Sequence, residues 1–496
     1  MTGVRSEVVR DGVDLRADVR ETHISILFFA GERVYKMRKA VRLGFLDFED
    51  AEARKADCAA EVELNRRLAP DVYLGVGGLV DERGEENPAV VMRRLPDERA
   101  LSELVSSGAD VSDEVRQVAH TIAAFHERAE RSPAISAAAS PEAVARRFED
   151  LFAEARPYVG GALEAEANSF VQRLVPAYLD GRRRLFEQRV SDGRICDGHG
   201  DIQASDVFCL DDGPRILDCI EFGDELRHVD VVEDVAFLAM DLEQMGALPA
   251  AEQLVRRYCE LTGETAPRSL WHFYIAERAY VRAVVTCLRG AQRGAVDAGA
   301  ARGFLKLARR HVGLATVRLV LVGGLPASGK STVADGLADA CEAVVLRTDE
   351  VRHDIHADVG GPQAAVEDRY SAAAVSAVYA RLLEEAGTLL STGQSVVLDA
   401  TWWSEHHRVA ARKLAEQTSS ELHELRCEAN ESVATERLCR RDREGSRAAS
   451  GSEATVAVRA AMAERYEPWP GSTVLDTSGS PAKAVEAAVR VVFRDL

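Results

Sequence analysis

The sequence predicts a multidomain protein in which a small β-rich lobe and a larger helical lobe precede an α/β phosphate-loop (P-loop) NTPase domain with a parallel sheet. Three observations predict it. Residues 324 to 331, Gly-Leu-Pro-Ala-Ser-Gly-Lys-Ser, complete a G-x-x-x-x-G-K-[ST] pattern between the apolar run Val317 to Val322 and a helix-like stretch, Thr332 to Ala340. That order of strand, loop and helix is the context in which the pattern holds phosphate. A compact strand-rich piece rich in Asp, residues 194 to 222, lies far upstream, and a hairpin near the start is followed by long amphipathic stretches.

Taken in chain order, Ile24 to Phe29 and Arg33 to Arg38 read as a hairpin joined across Ala30-Gly31-Glu32. Residues 49 to 68 are charged and Ala-rich with apolar positions at helical spacing, so they predict an amphipathic helix. Ala89 to Leu95 is a short apolar strand that Pro96-Asp97 breaks. Val111, Val115, Val118, Ile122 and Phe125 mark a helix to Ala129, and further helices follow to Arg189. Helices resume from Asp230 to about His311, which puts a boundary near Gly313 to Thr316. The expected divisions are 1–97 for the β-rich lobe, 98–313 for the helical lobe and 316–496 for the P-loop domain.

In the P-loop, the backbone from Gly324 through Leu325, Pro326, Ala327, Ser328 and Gly329 to Thr332 would wrap the β-phosphate at the positive end of the following helix. Lys330 would reach the β- and γ-phosphates, and the Ser331 hydroxyl would ligate Mg²⁺. Ala343 to Leu346 reads as the strand next to the loop and delivers Thr348-Asp349-Glu350-Val351-Arg352. Asp349 would accept a substrate hydroxyl proton in the crevice at the carboxyl ends of the strands, and Arg352 would hold substrate or the moving phosphate. Ser395 to Leu398 is another buried strand, and Asp399 after it would complete the Mg²⁺ shell; capping a following helix is the alternative for either Asp. Arg437, Arg440, Arg441, Arg443 and Arg447 crowd a helix and the loop after it, among Glu436, Asp442 and Glu444. They form either a lid, with Arg437 and Arg441 reaching ATP, or a solvated, salt-bridged helix.

The upstream strand-rich piece reads Asp197-Gly198-His199-Gly200-Asp201-Ile202-Gln203-Ala204-Ser205-Asp206, a strand Val207 to Leu210, a turn, and a strand Arg215 to Leu217 ending at Asp218. A hairpin of this length returns Asp218 to the neighbourhood of Asp201 and Asp206. Three converging carboxylates suit phosphoryl transfer, which needs one to take the hydroxyl proton and others to hold cations. Turn-forming Asp residues of a surface hairpin are the alternative.

His199-Gly200-Asp201-Ile202, a polar residue five positions on, and a strand ending in Asp218 resemble the catalytic and metal loops of aminoglycoside-phosphotransferase-like kinases, relatives of protein kinases. The resemblance implies a two-lobed, protein-kinase-like α+β domain over about residues 20 to 310. In it Asp201 would be the catalytic base, Asp206 would replace the usual metal-binding Asn, and Asp218 would be the principal Mg²⁺ ligand. Lys36 in Val34-Tyr35-Lys36 looks like the lysine that pairs with ATP phosphates, with Glu61 or the competing Glu63 as its partner. Asp230 and Asp234 both sit where such kinases brace the catalytic loop. No clear G-x-G-x-x-G precedes Lys36. The third domain looks like the small P-loop kinases that include gluconate kinase, polynucleotide kinase and zeta-toxin-like proteins. The joined order resembles bifunctional aminoglycoside phosphotransferase/ATP-binding proteins, a fold analogy that does not name the acceptor.

Composition narrows the partners. Among 496 residues, 62 basic and 81 acidic side chains leave a formal charge of −19, which disfavours a nucleic-acid backbone and would suit a cationic small substrate. Nine cysteines lie scattered without a C-x-x-C pair, as in a reduced cytoplasmic protein. No apolar stretch approaches the roughly 18 residues that span a bilayer. The expectation is a cytoplasmic kinase using ATP and Mg²⁺ on a small-molecule hydroxyl, with either two active modules or one degenerate, regulatory one.

Overall fold

The computed structural model describes the chain except residues 1–6, 11–12, 17, 22–24, 41, 44–45, 48–49, 81–83, 85, 359–370, 444–454 and 495–496. Two compact units form: Met1–Phe170 with Glu187–Ala266 and Phe273–His311, and Val171–Phe186 with Pro267–His272 and Val312–Leu496. Two helical pieces inside the expected helical lobe therefore group with the P-loop domain.

The first unit contains a five-stranded antiparallel sheet of β1 (Asp18–Glu21), β2 (Ser25–Ala30), β3 (Arg33–Arg38), β4 (Tyr73–Val80) and β5 (Glu86–Arg93), in the order β1-β2-β3-β5-β4. The β2–β3 register runs from Ser25 opposite Arg38 to Ala30 opposite Arg33, so only Gly31 and Glu32 turn the chain, and Gly31 takes a positive φ of 58°. On β3 the period of two puts Val34, Lys36 and Arg38 on one face. Val34 packs there with Phe29, Val90 and Met92 against Cys58 and Val62 of helix α1 (Ala51–Asn65), whose start is capped by the Asp50 carboxylate. Glu61 and Asn65 lie on that same buried stripe of α1, at the three-to-four-residue spacing of a helix face.

Below this sheet come helix α2 (Ser112–Arg128) and a short antiparallel pair, β6 (Ile195–Asp197) with β9 (His228–Asp230). The hairpin β7 (Val207–Leu210) and β8 (Gly213–Ile216) aligns Val207 with Ile216. Helix α3 (Val231–Gln244) is apolar almost all round and is buried accordingly. Helix α4 (Arg268–Gln292) and the helix Ala298–Ala315 follow.

The second unit holds five parallel strands: β10 (Arg318–Gly323), β11 (Val344–Arg347), β12 (Val396–Asp399), β13 (Glu421–Glu428) and β14 (Thr473–Asp476), ordered β11-β12-β10-β13-β14. Helices α5 (Lys330–Cys341) and α8 (Pro481–Val492) cover one face, where Val333, Leu337, Ala484 and Ala488 meet Val320, Val322, Val397 and Leu425. At about 1.5–3 kcal/mol for each fully buried Val or Leu, this packing anchors the helix that begins at Lys330. The strand order corrects one expectation: β11, which leads to Asp349, is an edge strand, and β12, which ends at Asp399, lies directly beside the P-loop strand. Chain order does not determine neighbour order in a sheet built by crossovers. β13 and β14 carried no strand signal, because Glu424 in β13 is held by Arg412 and Trp469 and breaks the apolar run expected of a buried parallel strand. All nine cysteines are free, and no described helix is long and apolar enough to cross a membrane.

Candidate active sites

In the first unit, Lys36 Nζ lies 2.8 Å from Glu61 Oε1 and also contacts Asp218. Glu61 is fully buried, whereas Glu63 points to solvent on the opposite side of α1. Burial alone would lower the Lys36 pKa, but Asp218 and Glu61 outweigh it, so the ammonium is held well above its ordinary range. Lys36 in turn holds the half-exposed Asp218 carboxylate below the usual range.

Asp218 has a left-handed backbone with φ 64°, a conformation that costs a non-glycine residue about 1–3 kcal/mol and persists only where its surroundings enforce it. Here its N–H donates to Tyr73 Oη at 3.2 Å, and the Cys219 N–H donates to Asn65 Oδ1 at 2.9 Å. The same helix α1 thus positions Lys36 through Glu61 and the Asp218 loop through Asn65.

The loop 199–206 is held from beneath. Asp234 accepts the backbone N–H groups of His199 and Gly200, both at 2.8 Å, and His126 Nε2 lies 3.1 Å from the same carboxylate. Burial would push Asp234 up, but its hydrogen bond with His126 and the backbone N–H of His199 hold it below the usual range. His199 Nε2 is 3.1 Å from the Leu217 carbonyl, which only accepts, so Nδ1 is left to accept the Asp201 N–H at 3.3 Å. Buried His199 is thereby a neutral tautomer that links the Asp201 turn to the strand before Asp218, and burial lowers its pKa accordingly. Asp230 does something else, capping α3 through the Val232 N–H and taking Arg189 Nε at 2.8 Å.

Asp234→Ala leaves three buried donors without an acceptor, and we expect a loss of about 3–5 kcal/mol in urea unfolding. A loss below about 1 kcal/mol would remove Asp234 from this bracing role.

Around this frame Asp201, Asp206 and Asp218 repel one another. Burial pushes Asp201 up to about 6, with Asp218 adding to it and Arg282 opposing. Burial followed by Asp218 and Asp201 pushes Asp206 well above its usual range. Lys36 balances Asp218, whereas among the described residues Asp201 and Asp206 pair with no cation, an oxygen-rich arrangement that a divalent cation would fit.

Sequence reasoning missed Arg38. Its guanidinium takes Glu61 Oε2 at 2.8 Å, Asp57 at 2.6 Å and Ser25 Oγ at 2.7 Å, and contacts Glu221. Glu61 is therefore shared by Lys36 and Arg38. Burial pushes Glu221 up to about 8 despite Arg38. The available signal was the two-residue spacing from Lys36, which puts both cations on one strand face. Asp57, Glu61 and Glu221 lie close enough to suggest a metal cluster, but Arg38 already fills their centre.

In the second unit, the P-loop turns with φ 143° at Gly324, 62° at Ala327 and 85° at Gly329. A Cβ on Gly324 would lie 2.6 Å from the Cys427 carbonyl, so only glycine lets the loop leave β10 beside β13. The loop carbonyls are stapled from outside: Arg459 donates to Pro326 O at 2.6 Å, Arg437 to Ala327 O at 3.3 Å, and the Thr477 hydroxyl to Ser328 O. Of the loop's own N–H groups, Gly324 donates to Thr401 O at 3.3 Å and Ser328 to Leu325 O at 3.1 Å, which leaves those of Leu325, Ala327 and Gly329 for a ligand. Buried Ser328 Oγ has no partner, and among the described residues Lys330 forms no ion pair. Asp399 Oδ1 is also buried without a partner, and its Oδ2 is 3.6 Å from Arg347 Nε. Lone donors and a carboxylate with one free oxygen, at a helix start, fit a nucleotide phosphate chain with a divalent cation.

Beside the loop, a cavity of about 370 Å³ is lined by Gly329, Thr332, Arg437, Arg440, Arg441 and Thr477. The arginines of helix α7 (Glu431–Arg443) thus divide: Arg437 is committed to loop carbonyls, Arg440 and Arg441 face the cavity, and Arg443 donates back to Cys439 O at 3.3 Å. Arg447 and Glu444 lie outside the described residues. Asp349 and Arg352, on α6 (Thr348–Asp358), pair at 2.7 Å. Ser331 and Thr332 are exposed at the first turn of α5.

This parallel sheet with its loop and carboxylate defines a P-loop nucleotide-binding domain, and residues 319–469 match the AAA domain family. Over the whole chain, uncharacterized proteins of Mycobacterium tuberculosis and Mycobacterium bovis are 40% identical across 478 residues, 96% of this chain and 95% of theirs. The chain belongs to the family of these mycobacterial proteins. Among solved structures, an APS kinase of M. tuberculosis in complex with AMPPNP and APS is 22% identical over 36% of this chain and 98% of its own, with a TM-score of 0.28. A choline/ethanolamine kinase family protein from Mesorhizobium loti is 14% identical over 61% of this chain and 89% of its own, with a TM-score of 0.39.

Proposed function

We propose that the chain is an ATP-dependent phosphotransferase with two nucleotide-binding modules, each moving the γ-phosphoryl group of MgATP to a hydroxyl of a small molecule such as a sugar, sugar acid, aminoglycoside or nucleoside. The observation that carries this is that each unit presents a lysine beside carboxylates lacking a full set of partners: Lys36 with Asp201, Asp206 and Asp218, and Lys330 with Asp399. Bound Mg²⁺ would neutralise phosphate charge and polarise the transferred group.

In the first module Lys36 would hold ATP phosphates, Glu61 would orient Lys36, Asp206 and Asp218 would hold the cation, and Asp201 would accept the hydroxyl proton. In the second, the backbone from Gly324 to Thr332 with Lys330 would hold the phosphates, Ser331 and Asp399 would take the cation, and Asp349 with Arg352 would face the acceptor. Arg441 would contact the nucleotide from the cavity side, and Arg437 would act by shaping the loop. The proposed compartment is the cytoplasm, supported by the free cysteines.

The two-module reading is tested by titrating a non-hydrolysable ATP analogue with Mg²⁺ into the full-length protein. Two sites are expected, and Lys36→Ala and Lys330→Ala should each remove one. A single site that survives Lys36→Ala and vanishes in Lys330→Ala would reduce the protein to one nucleotide module.

A second reading is favoured by Asp206, whose raised pKa adds a proton-holding carboxylate to the site: the first module binds nucleotide and regulates the second. The pH profile separates the two. If Asp201 is the base, it must lose its proton, so acceptor-dependent turnover in a Lys330→Ala background should be low at pH 5, half-maximal near pH 6 and level above pH 7. No acceptor-dependent turnover at any pH in that background, with the ATP analogue still bound by the first module, would favour the regulatory reading.

A further inference from the structure

Near Asp201 lies a stripe of arginines to which the two-module mechanism gives no part. Arg278, Arg282 and Arg289 lie on α4 at spacings of four and seven residues, which at about 100° per residue returns all three to within about 40° of one another. Their charge reaches the catalytic loop: Arg282 is the strongest positive influence on Asp201, followed by Arg278 and Arg289, and Arg289 also acts on Asp218. Arg278 is committed, because its Nη2 pairs with buried Glu233 at 2.5 Å.

The other two are not committed. Among the described residues neither Arg282 nor Arg289 forms an ion pair, and Arg282 Nε is buried with no hydrogen-bond partner. The Arg282 guanidinium lies over the Phe304 ring at 5.6 Å, a contact that uses none of its donors. The remaining charged groups facing the stripe are Asp241, which accepts the Ala204 N–H, and Arg293 just beyond the helix end. Partial desolvation together with Arg282 and Arg293 lowers the Arg289 pKa, against the attraction of Asp201 and Asp218. An unpartnered guanidinium matches an oxyanion, which it grips through two parallel hydrogen bonds.

Resting on the kinase reading of the first module, we infer that Arg282 and Arg289 form an anion-binding subsite for the phosphoryl acceptor, whose substrate is therefore a hydroxy compound bearing a carboxylate or phosphate. The acceptor hydroxyl reaches Asp201 while its anionic group lies against the stripe. The overall charge of −19 points toward a cationic substrate, but charges beyond the Debye length of about 8–10 Å are screened, so the local arginines govern recognition.

The test uses full-length protein with Lys330→Ala, which silences P-loop chemistry. Gluconate, glucose 6-phosphate, glucosamine and choline serve as acceptors in ADP-release assays and in calorimetric titrations with an ATP analogue present. At least one anionic probe should bind and turn over better than both cationic ones, and gluconate against glucose 6-phosphate distinguishes carboxylate from phosphate. Arg282→Gln and Arg289→Ala should each raise the KM for that probe at least tenfold with the analogue Kd unchanged, and Arg282→Lys should recover part of the loss. Arg289 is exposed, so its replacement does not disturb the core.

Preference for glucosamine or choline, no binding of either anionic probe, or an unchanged acceptor KM in both variants would overturn the inference. A weakened ATP-analogue Kd with the acceptor KM intact would assign the stripe to the nucleotide and overturn it too. Failure of the first module to bind the analogue at all is a different result: it removes the kinase reading itself, and this inference with it.

Discussion

Asp201→Asn is expected to lower kcat for acceptor phosphorylation by the first module about 10²- to 10⁴-fold, the range for losing a positioned general base. The Asn keeps the shape of the side chain and the backbone bond to His199 Nδ1, so the turn held by Asp234 should survive. ATP-analogue affinity and the urea-unfolding midpoint should therefore match the parent, and the pH step near 6 should disappear with the carboxylate. Turnover within threefold of the parent in a Lys330→Ala background would show that Asp201 accepts no proton in the reaction.

Lys330→Ala should cost the second module about 10²- to 10³-fold in kcat, by analogy with removing one preorganised donor from a developing anion. The side chain has no protein partner to lose among the described residues, so folding stability should change little and the effect should fall on nucleotide binding and turnover. Asp399→Ala should act differently. It removes the carboxylate that would take the cation, so its activity should recover in part as Mg²⁺ is raised, which the lysine variant should not do. A Lys330→Ala protein with full ATP turnover in the presence of a second-module acceptor would refute the phosphate-binding role of the loop.

Much of both sites was legible because their signals are local. The spacing from Gly324 to Ser331 encodes a turn and a helix start, and the hairpin between Asp206 and Asp218 follows from turn chemistry within about a dozen residues. Choices between neighbours were not legible in the same way. Glu61 and Glu63 are equivalent as letters; burial of one face of α1 against Val34 and Met92 is what selects Glu61. Asp230 and Asp234 are both acidic and one helical turn apart, and only the loop packed above Asp234 makes it the brace while Arg189 claims Asp230. Arg38 escaped notice because no motif singles it out, and Glu221 joins it only across a separation of 183 residues.

The amino-acid order alone was enough to establish a P-loop domain behind an Asp-rich hairpin, since turns, caps and phosphate loops are written in contiguous residues. The spatial order β11-β12-β10-β13-β14, which puts Asp399 and not Asp349 on the strand beside the P-loop, depended on how crossovers pack helices onto a sheet. The arginine stripe was visible as letters on one helix, but its bearing on Asp201 arose only when α4 was packed against the catalytic loop. Electrostatic influence falls off over a few ångströms, and those distances are set by packing between segments that the chain separates by about 80 residues.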